Sequence, residues 1–102
     1  MGNKLSISII TPTFNRADEL DFLLRSISKQ TYPLKNIEFI VSDDGSHDNT
    51  ELVVTKWQKK SLFDLIYIRQ ENKGPGAARN HGLENCRGDI ISVSYTHLTL
   101  PT

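Results

Sequence analysis

Ile37-Glu38-Phe39-Ile40-Val41-Ser42 is a short apolar run rich in β-branched residues, and it breaks at once into the polar stretch Asp43-Asp44-Gly45-Ser46. That composition, closed by turn formers, predicts a strand over 37–42 and a turn from Asp43 to Asn49. From about Thr50 to Lys60 the pattern becomes helical, with Leu52, Val53 or Val54, and Trp57 as the expected buried residues. Strand, turn and helix in this order form the repeating unit of an α/β fold.

The unit recurs on both sides. Upstream, Lys4 to Thr11 predicts a strand closed by Pro12, and Leu20, Leu23, Leu24 and Ile27 then follow the spacing of a helix with one buried face. Asn15 is the expected cap of that helix, Asp18 and Glu19 suit its first turn, and Thr31-Tyr32-Pro33 ends it. Downstream, Leu65 to Arg69 predicts a third strand, Asn72 to Gly76 a Gly/Pro loop, Ala77 to Asn85 a third helix, and Gly88-Asp89-Ile90-Ile91 the opening of a fourth strand. The alternation implies right-handed crossovers and a Rossmann-like α/β fold, an open, mainly parallel sheet with helices on both faces. Ligands of such sheets bind beyond the carboxyl ends of the strands, where the loops Pro12 to Arg16, Asp43 to Thr50 and Asn72 to Arg79 are expected to meet.

With 102 residues, 37% hydrophobic and 24% charged, the chain has the composition of one soluble globular domain. Its 12 basic and 12 acidic residues cancel, so nothing in the overall charge points to nucleic acid or an anionic membrane as the main partner. Cys86 is the single cysteine, which excludes an internal disulfide and fits a reducing, cytosolic setting. His47, His81 and His97 lie too far apart for a local metal motif. Leu5 to Ile10 is too short and too interrupted by serine for a signal-peptide core, and no run approaches the roughly 18 apolar residues that span a bilayer.

Each loop carries polar groups with two readings. Pro12, Thr13, Asn15 and Arg16 precede a helix amino terminus, whose free N–H groups suit an anion, or they form only a proline turn and a cap. Asp43 and Asp44 repel each other and call for donors, a cation or solvent; a binding site would supply donors from a base or a ribose, and an Asx turn is the alternative. Gly45 permits the tight turn, and Ser46 is the expected cap of the next helix. In the third loop, Lys73 and Arg79 flank Gly74-Pro75-Gly76 at a helix start, an arrangement that suits a diphosphate, although Arg79 could instead pair with Asp43 or Asp44. The dinucleotide fingerprint is absent because the third glycine is not at its offset.

Taken together, the three loops resemble those of glycosyltransferase family 2. Its members open with Pro-Thr-Tyr-Asn-Arg, here Pro12-Thr13-Phe14-Asn15-Arg16, and follow with Val-Asp-Asp-Gly-Ser-x-Asp-x-Thr, here Ser42 to Thr50. They continue with Asn-x-Gly-x-x-x-Ala-Arg-Asn-x-Gly, matched at Asn72, Gly74, Ala78, Arg79, Asn80 and Gly82, and with Gly-Asp, here Gly88-Asp89. The resemblance implies the front half of a GT-A fold over residues 1–92 and an inverting transferase that takes a nucleoside-diphosphate sugar, usually a UDP-sugar. It implies that Asp44 bonds the base, that Asp43 supports the loop and the ribose side, that Pro12 and Thr13 line the base pocket, and that Arg79 helps order the nucleotide site. A saccharide, lipid or protein acceptor, a divalent cation (Mn or Mg) for the complete enzyme, and a cytoplasmic place, at the inner membrane face for the full-length protein, follow from the same likeness.

One departure stands at the carboxyl end. Where the family carries Asp-x-Asp for its metal, this chain has Tyr95, Thr96 and His97, so the family cation has no acidic ligands at those positions. Val93 to Thr102 is foreign to the family and resembles a short tail that ends many unrelated assembled gene fragments, which predicts an artefactual or frame-shifted end over residues 93–102. No catalytic residue is expected in this chain, since the family's base belongs to its later half. A catalytically silent nucleotide-binding module is the alternative. A haloacid-dehalogenase phosphatase needs an acidic residue where Ser42 stands, and a receiver domain needs an acidic pair where Thr11 and Pro12 stand.

Overall fold

The computed structural model describes residues 5–29, 33–60 and 62–94. In chain order the elements are β1 (Ile7–Thr13), α1 (Ala17–Ser28), a 3-10 turn (Leu34–Asn36), β2 (Ile37–Asp43), α2 (Thr50–Lys60), β3 (Asp64–Arg69), α3 (Pro75–Glu84) and β4 (Ile90–Val93). All strand pairs are parallel and the order across the sheet is β3-β2-β1-β4. The open α/β fold expected from the alternation is therefore the fold observed.

Register divides the side chains between two faces, because residues paired across parallel strands point the same way. Ile9, Phe39 and Leu65 share one face with Thr11, Val41 and Tyr67. Leu20, Leu23 and Leu24 of α1 and Val54 and Trp57 of α2 pack there, completing the main core with Phe39, Val41 and Leu65. On the other face α3 lies against β1 and β2 so closely that a Cβ on Gly82 would sit 2.4 Å from Ile10 Cγ2. Ser42, on that same face, donates to the Ala78 carbonyl at 2.6 Å, fixing α3 along β2.

Several boundaries move from their expected places. Pro12 does not close β1, which continues through Thr13 opposite Asp43. Proline lacks an N–H, but β4 pairs with β1 only from Ile7 to Ile10, so beyond that point β1 has one neighbouring strand and can spare a donor. The strand begins at Ile7 with Leu5 and Ser6 outside it; Lys4, like Thr31 and Tyr32 at the expected end of α1, lies outside the described residues. Asn15 is not the cap of α1: Arg16 holds that position, and its side chain makes no capping hydrogen bond. α3 starts at Pro75, two residues earlier than expected, because proline's fixed φ suits the first helical turn. Leu52 faces outward with 67% exposure, and Val54 and Trp57 take the core.

β4 is an edge strand, with Ile90 and Ile91 each about half exposed. Its attachment depends on two carboxylates. Asp89 accepts hydrogen bonds from the Ser6 N–H at 3.1 Å and the Ser6 hydroxyl at 3.2 Å. Glu38 accepts from the Ser8 hydroxyl at 2.7 Å and the Arg87 N–H at 2.8 Å. Between them Gly88 donates to Ser8 Oγ at 2.7 Å and lies so close to β1 that only a hydrogen fits.

Candidate nucleotide site

The loop after β2 is the hub of the carboxyl edge. Asp43 and Asp44, adjacent and both acidic, avoid mutual repulsion by taking separate sets of donors. Asp43 is fully buried. Its Oδ2 accepts from the Tyr67 hydroxyl at 2.5 Å and lies 3.6 Å from the Arg69 guanidinium, while Oδ1 accepts from the Ser46 N–H at 2.9 Å. Arg69 also donates to the Ser46 carbonyl at 2.9 Å, so β3 holds both ends of the turn. Burial and the bond to Asp43 push the Tyr67 hydroxyl up to about 12, so it stays a donor throughout the ordinary pH range.

Asp44 turns to the third loop. Oδ1 accepts from Gln70 Nε2 at 2.9 Å and from the Lys73 N–H at 2.7 Å, and Oδ2 accepts from the Gly74 N–H at 2.9 Å. Burial opposes ionisation most strongly, yet the bonds from Gln70, Lys73 and Gly74 together outweigh it and hold the carboxyl below its usual range. Gly45 makes this approach possible. Its φ of 87° suits glycine, and a Cβ there would meet Asn72 N and Gln70 O at 3.3 Å.

The first loop joins from the other side. Asn15, at a left-handed φ of 51°, donates its N–H to Ser46 Oγ at 2.7 Å and accepts the His47 N–H on Oδ1 at 2.8 Å. Ser46 is thus occupied by Asn15 and does not cap α2 as expected. Asp48 takes that role for two helices at once: Oδ2 accepts the Ala17 N–H of α1 at 3.1 Å, and Oδ1 accepts the Thr50 N–H and hydroxyl at 3.0 and 2.6 Å. Burial opposes its charge most, but these bonds together place its pKa below the ordinary range.

The structure therefore brings Thr13, Asn15, Asp43, Asp44, Gly45 and Ser46 together, with the Asp44 N–H donating to the Thr13 carbonyl at 2.9 Å. Pro12 stays in the ladder opposite Ser42. Arg16 pairs with Glu19 at 3.0 Å. Arg79 is exposed and meets only Asn80 Oδ1, at 3.4 Å from two of its nitrogens; among the described residues it forms no ion pair with Asp43 or Asp44. A cleft of about 260 Å³ at the start of α1 is lined by Arg16 together with Asp18, Glu19 and Asp48, so carboxylates outnumber the guanidinium there, which disfavours a diphosphate. Asp48, Tyr67, Arg69 and Gln70 were not among the expected site residues. Asp48 had a legible signal, an Asp two residues before the first helical Thr; Tyr67 and Arg69 of β3, and Gln70 just after it, needed the strand order.

Among the described residues no three His, Cys, Asp or Glu side chains are grouped to hold a metal ion. Asp43 is fully buried among its own donors and Asp44 has a single acceptor position left, so these two carboxylates do not fit a divalent cation. Tyr95, Thr96 and His97, and all of the expected tail except Val93 and Ser94, lie outside the described residues. Among those described, no helix is long and apolar enough to cross a membrane.

The model of the family described as Glycosyl transferase family 2 matches residues 8–100. The chain belongs to glycosyl transferase family 2. It is 37% identical over 97 residues to chondroitin synthase of Pasteurella multocida, covering 91% of this chain and 10% of that protein. Identity is 38% to the GalNAc(5)-diNAcBac-PP-undecaprenol beta-1,3-glucosyltransferase of Campylobacter jejuni, covering 84% of this chain and 28% of that one. Thus the chain spans a little over a quarter, or less, of these family 2 relatives. Among solved structures, the mannosyltransferase PcManGT of Pyrobaculum calidifontis in complex with GDP-Man and Mn2+ superposes with a TM-score of 0.88 at 26% identity, over 98% of this chain and 30% of that one. Residues 1–349 of TarS from S. aureus in complex with UDP-GlcNAc give 0.82 at 32% identity, over 90% of this chain and 26% of that one. These are GT-A fold enzymes, and the family 2 chain shares their sheet.

Proposed function

We propose that the loops at the carboxyl edge form the donor-nucleotide part of a glycosyltransferase site, that the donor is a UDP-sugar, and that the complete enzyme transfers the sugar with inversion to an acceptor hydroxyl. The observation that carries this reading is the state of Asp44. It is an ionised, buried carboxylate at the ligand-binding edge of the sheet, and its three donors leave one of about four acceptor positions free for an N–H of a base. Asp43 acts one step behind it by fixing the turn through Tyr67, Ser46 and Arg69. Pro12 and Thr13 border the base, Asn15 and Ser46 hold the first loop against the turn, Arg16 stands at its outer rim, and Arg79 is available to phosphate.

In this reading a carboxylate outside the chain removes the acceptor's proton, the acceptor oxygen bonds to the anomeric carbon, and the bond to the diphosphate breaks on the opposite side. A divalent cation in the complete enzyme would offset charge on the departing diphosphate. The acceptor is a saccharide, lipid or protein, and the full-length enzyme works at the cytoplasmic face of a membrane. A second reading, a nucleotide-binding module without turnover, is favoured by Tyr95, Thr96 and His97 at the family's acidic positions.

Calorimetric titration of the chain with UDP tests the role of Asp44. Asp44→Ala is expected to weaken UDP binding by about 1–3 kcal/mol, roughly 10- to 100-fold, with the circular dichroism spectrum retained. Unchanged UDP affinity in the variant rejects the assignment.

A further inference from the structure

We propose that Gln70 sets the base selectivity of the site by limiting how many hydrogen bonds Asp44 can still accept, so that the site takes a base with one edge N–H donor and disfavours one that presents two. The inference rests on Asp44 being the base contact and adds the residue that decides which base it reads.

The argument is a count of acceptor positions. A carboxylate has two on each oxygen. On Asp44 Oδ1 both are taken, by Gln70 Nε2 at 2.9 Å and the Lys73 N–H at 2.7 Å, whereas Oδ2 has accepted only the Gly74 N–H at 2.9 Å. A uracil edge offers a single N–H between two carbonyls, which the remaining Oδ2 position satisfies. A guanine edge offers a ring N–H and an amine side by side, and such a pair binds a carboxylate bidentately only when each oxygen has a free position. Here the second donor finds no acceptor on Asp44, and burying an unmatched donor is costly. Of the three protein donors, two are backbone N–H groups held by the turn around Gly74, so Gln70 is the one that a side-chain change removes.

Base size is separated from donor number by comparing three diphosphates: UDP, IDP, whose hypoxanthine has the purine rings and one edge N–H, and GDP, which adds the amine. For the 102-residue chain, calorimetry is expected to show IDP binding about tenfold or more tighter than GDP. Gln70→Met removes the donor at similar volume and frees a position on Oδ1. The IDP-to-GDP ratio is expected to fall toward one. Gln70→Ala, with its fold checked by circular dichroism, is expected to shift the ratio the same way. A ratio near one in the unaltered chain, a ratio unmoved by both variants, or an equal loss for all three ligands overturns the proposal while leaving the nucleotide site in place. Failure of all three to bind the unaltered chain overturns the site reading and this inference together.

Discussion

The two edges of the sheet use the same device for different ends. At the carboxyl edge Asp43, Asp44 and Asp48 gather N–H and O–H donors from loops far apart in sequence; at the amino edge Glu38 and Asp89 do so around Ser6, Ser8 and Arg87. The amino-edge bonds hold β4 to β1 from exposed ground: both bonds to Asp89 fall on Oδ2, and Asp89 itself lies in solvent. Those at the carboxyl edge are stacked in depth: Asp43 is sealed inside, and Asp44, one residue on, ties down the third loop while keeping an acceptor position unused. A carboxylate network that merely fixes register therefore differs from one that prepares a site in where its spare acceptor position lies: solvent can satisfy the exposed Asp89, whereas Asp44 is buried at 4% exposure.

That contrast predicts that the edges fail separately. The largest effect is expected from Gly88→Ala at the amino edge. A Cβ there would sit 2.5 Å from Ser8 Oγ, 2.6 Å from Ser8 N and 3.0 Å from Ile7 C, and two of these are backbone atoms that cannot rotate away. Urea denaturation is expected to show a loss of about 3 kcal/mol, with UDP affinity of the folded fraction unchanged. A parallel loss of affinity would show that the edges are coupled and would break the comparison.

How much of this was legible beforehand depends on the range of the interaction. Strands and helices were readable because the apolar spacing of Ile37 to Ser42 or Leu20 to Ile27 is local. The outward turn of Leu52 and the choice between Val53 and Val54 were not, since consecutive apolar residues point around the helix and the packing alone makes Val54 the buried one, with Val53 partly covered. Asp43 and Asp44 were visible as a pair in need of donors, but not which donors: Tyr67 and Arg69 reach Asp43 only because β3 lies beside β2 in a register that puts all three side chains on one face. Asn15 looked like a cap because the sequence does not reveal that Asp48, from the next loop, reaches the first N–H of α1.

A smaller effect is expected from pH, and on the acid side Asp21, held below its usual range by the bonds from Lys56 and Trp57 between α1 and α2, shares it with the carboxyl edge. Asp44 and Asp48 have lowered pKa values in the folded chain, so the stability they contribute is complete above the unfolded carboxylate value of about 3.9 and is lost as pH falls through their lower folded values. Tyr67 works in the opposite direction: its pKa is raised from 10.0 to about 12, so its contribution is present below pH 10.0 and is lost as pH rises through about 12. Ultraviolet titration should show one tyrosine ionising near the upper limit, and Tyr67→Phe should remove that step. If the late step survives the substitution, Tyr67 is not the donor that secures Asp43.

The smallest effect on the fold, and the sharpest test of what the carboxyl edge leaves unused, is expected from Arg79→Gln. Arg79 is exposed and, among the described residues, its side-chain partner is Asn80 Oδ1 at 3.4 Å, so stability should change by no more than about 0.5 kcal/mol. If the guanidinium serves phosphate, its loss must depend on whether the ligand carries any. UDP is expected to bind about fivefold more weakly to the variant, a modest effect because a solvated charge pair contributes little, and uridine to bind equally well to both proteins. An equal loss for uridine and UDP would mean that Arg79 acts through the shape of α3 and its packing on β1, not through a charge offered to the diphosphate.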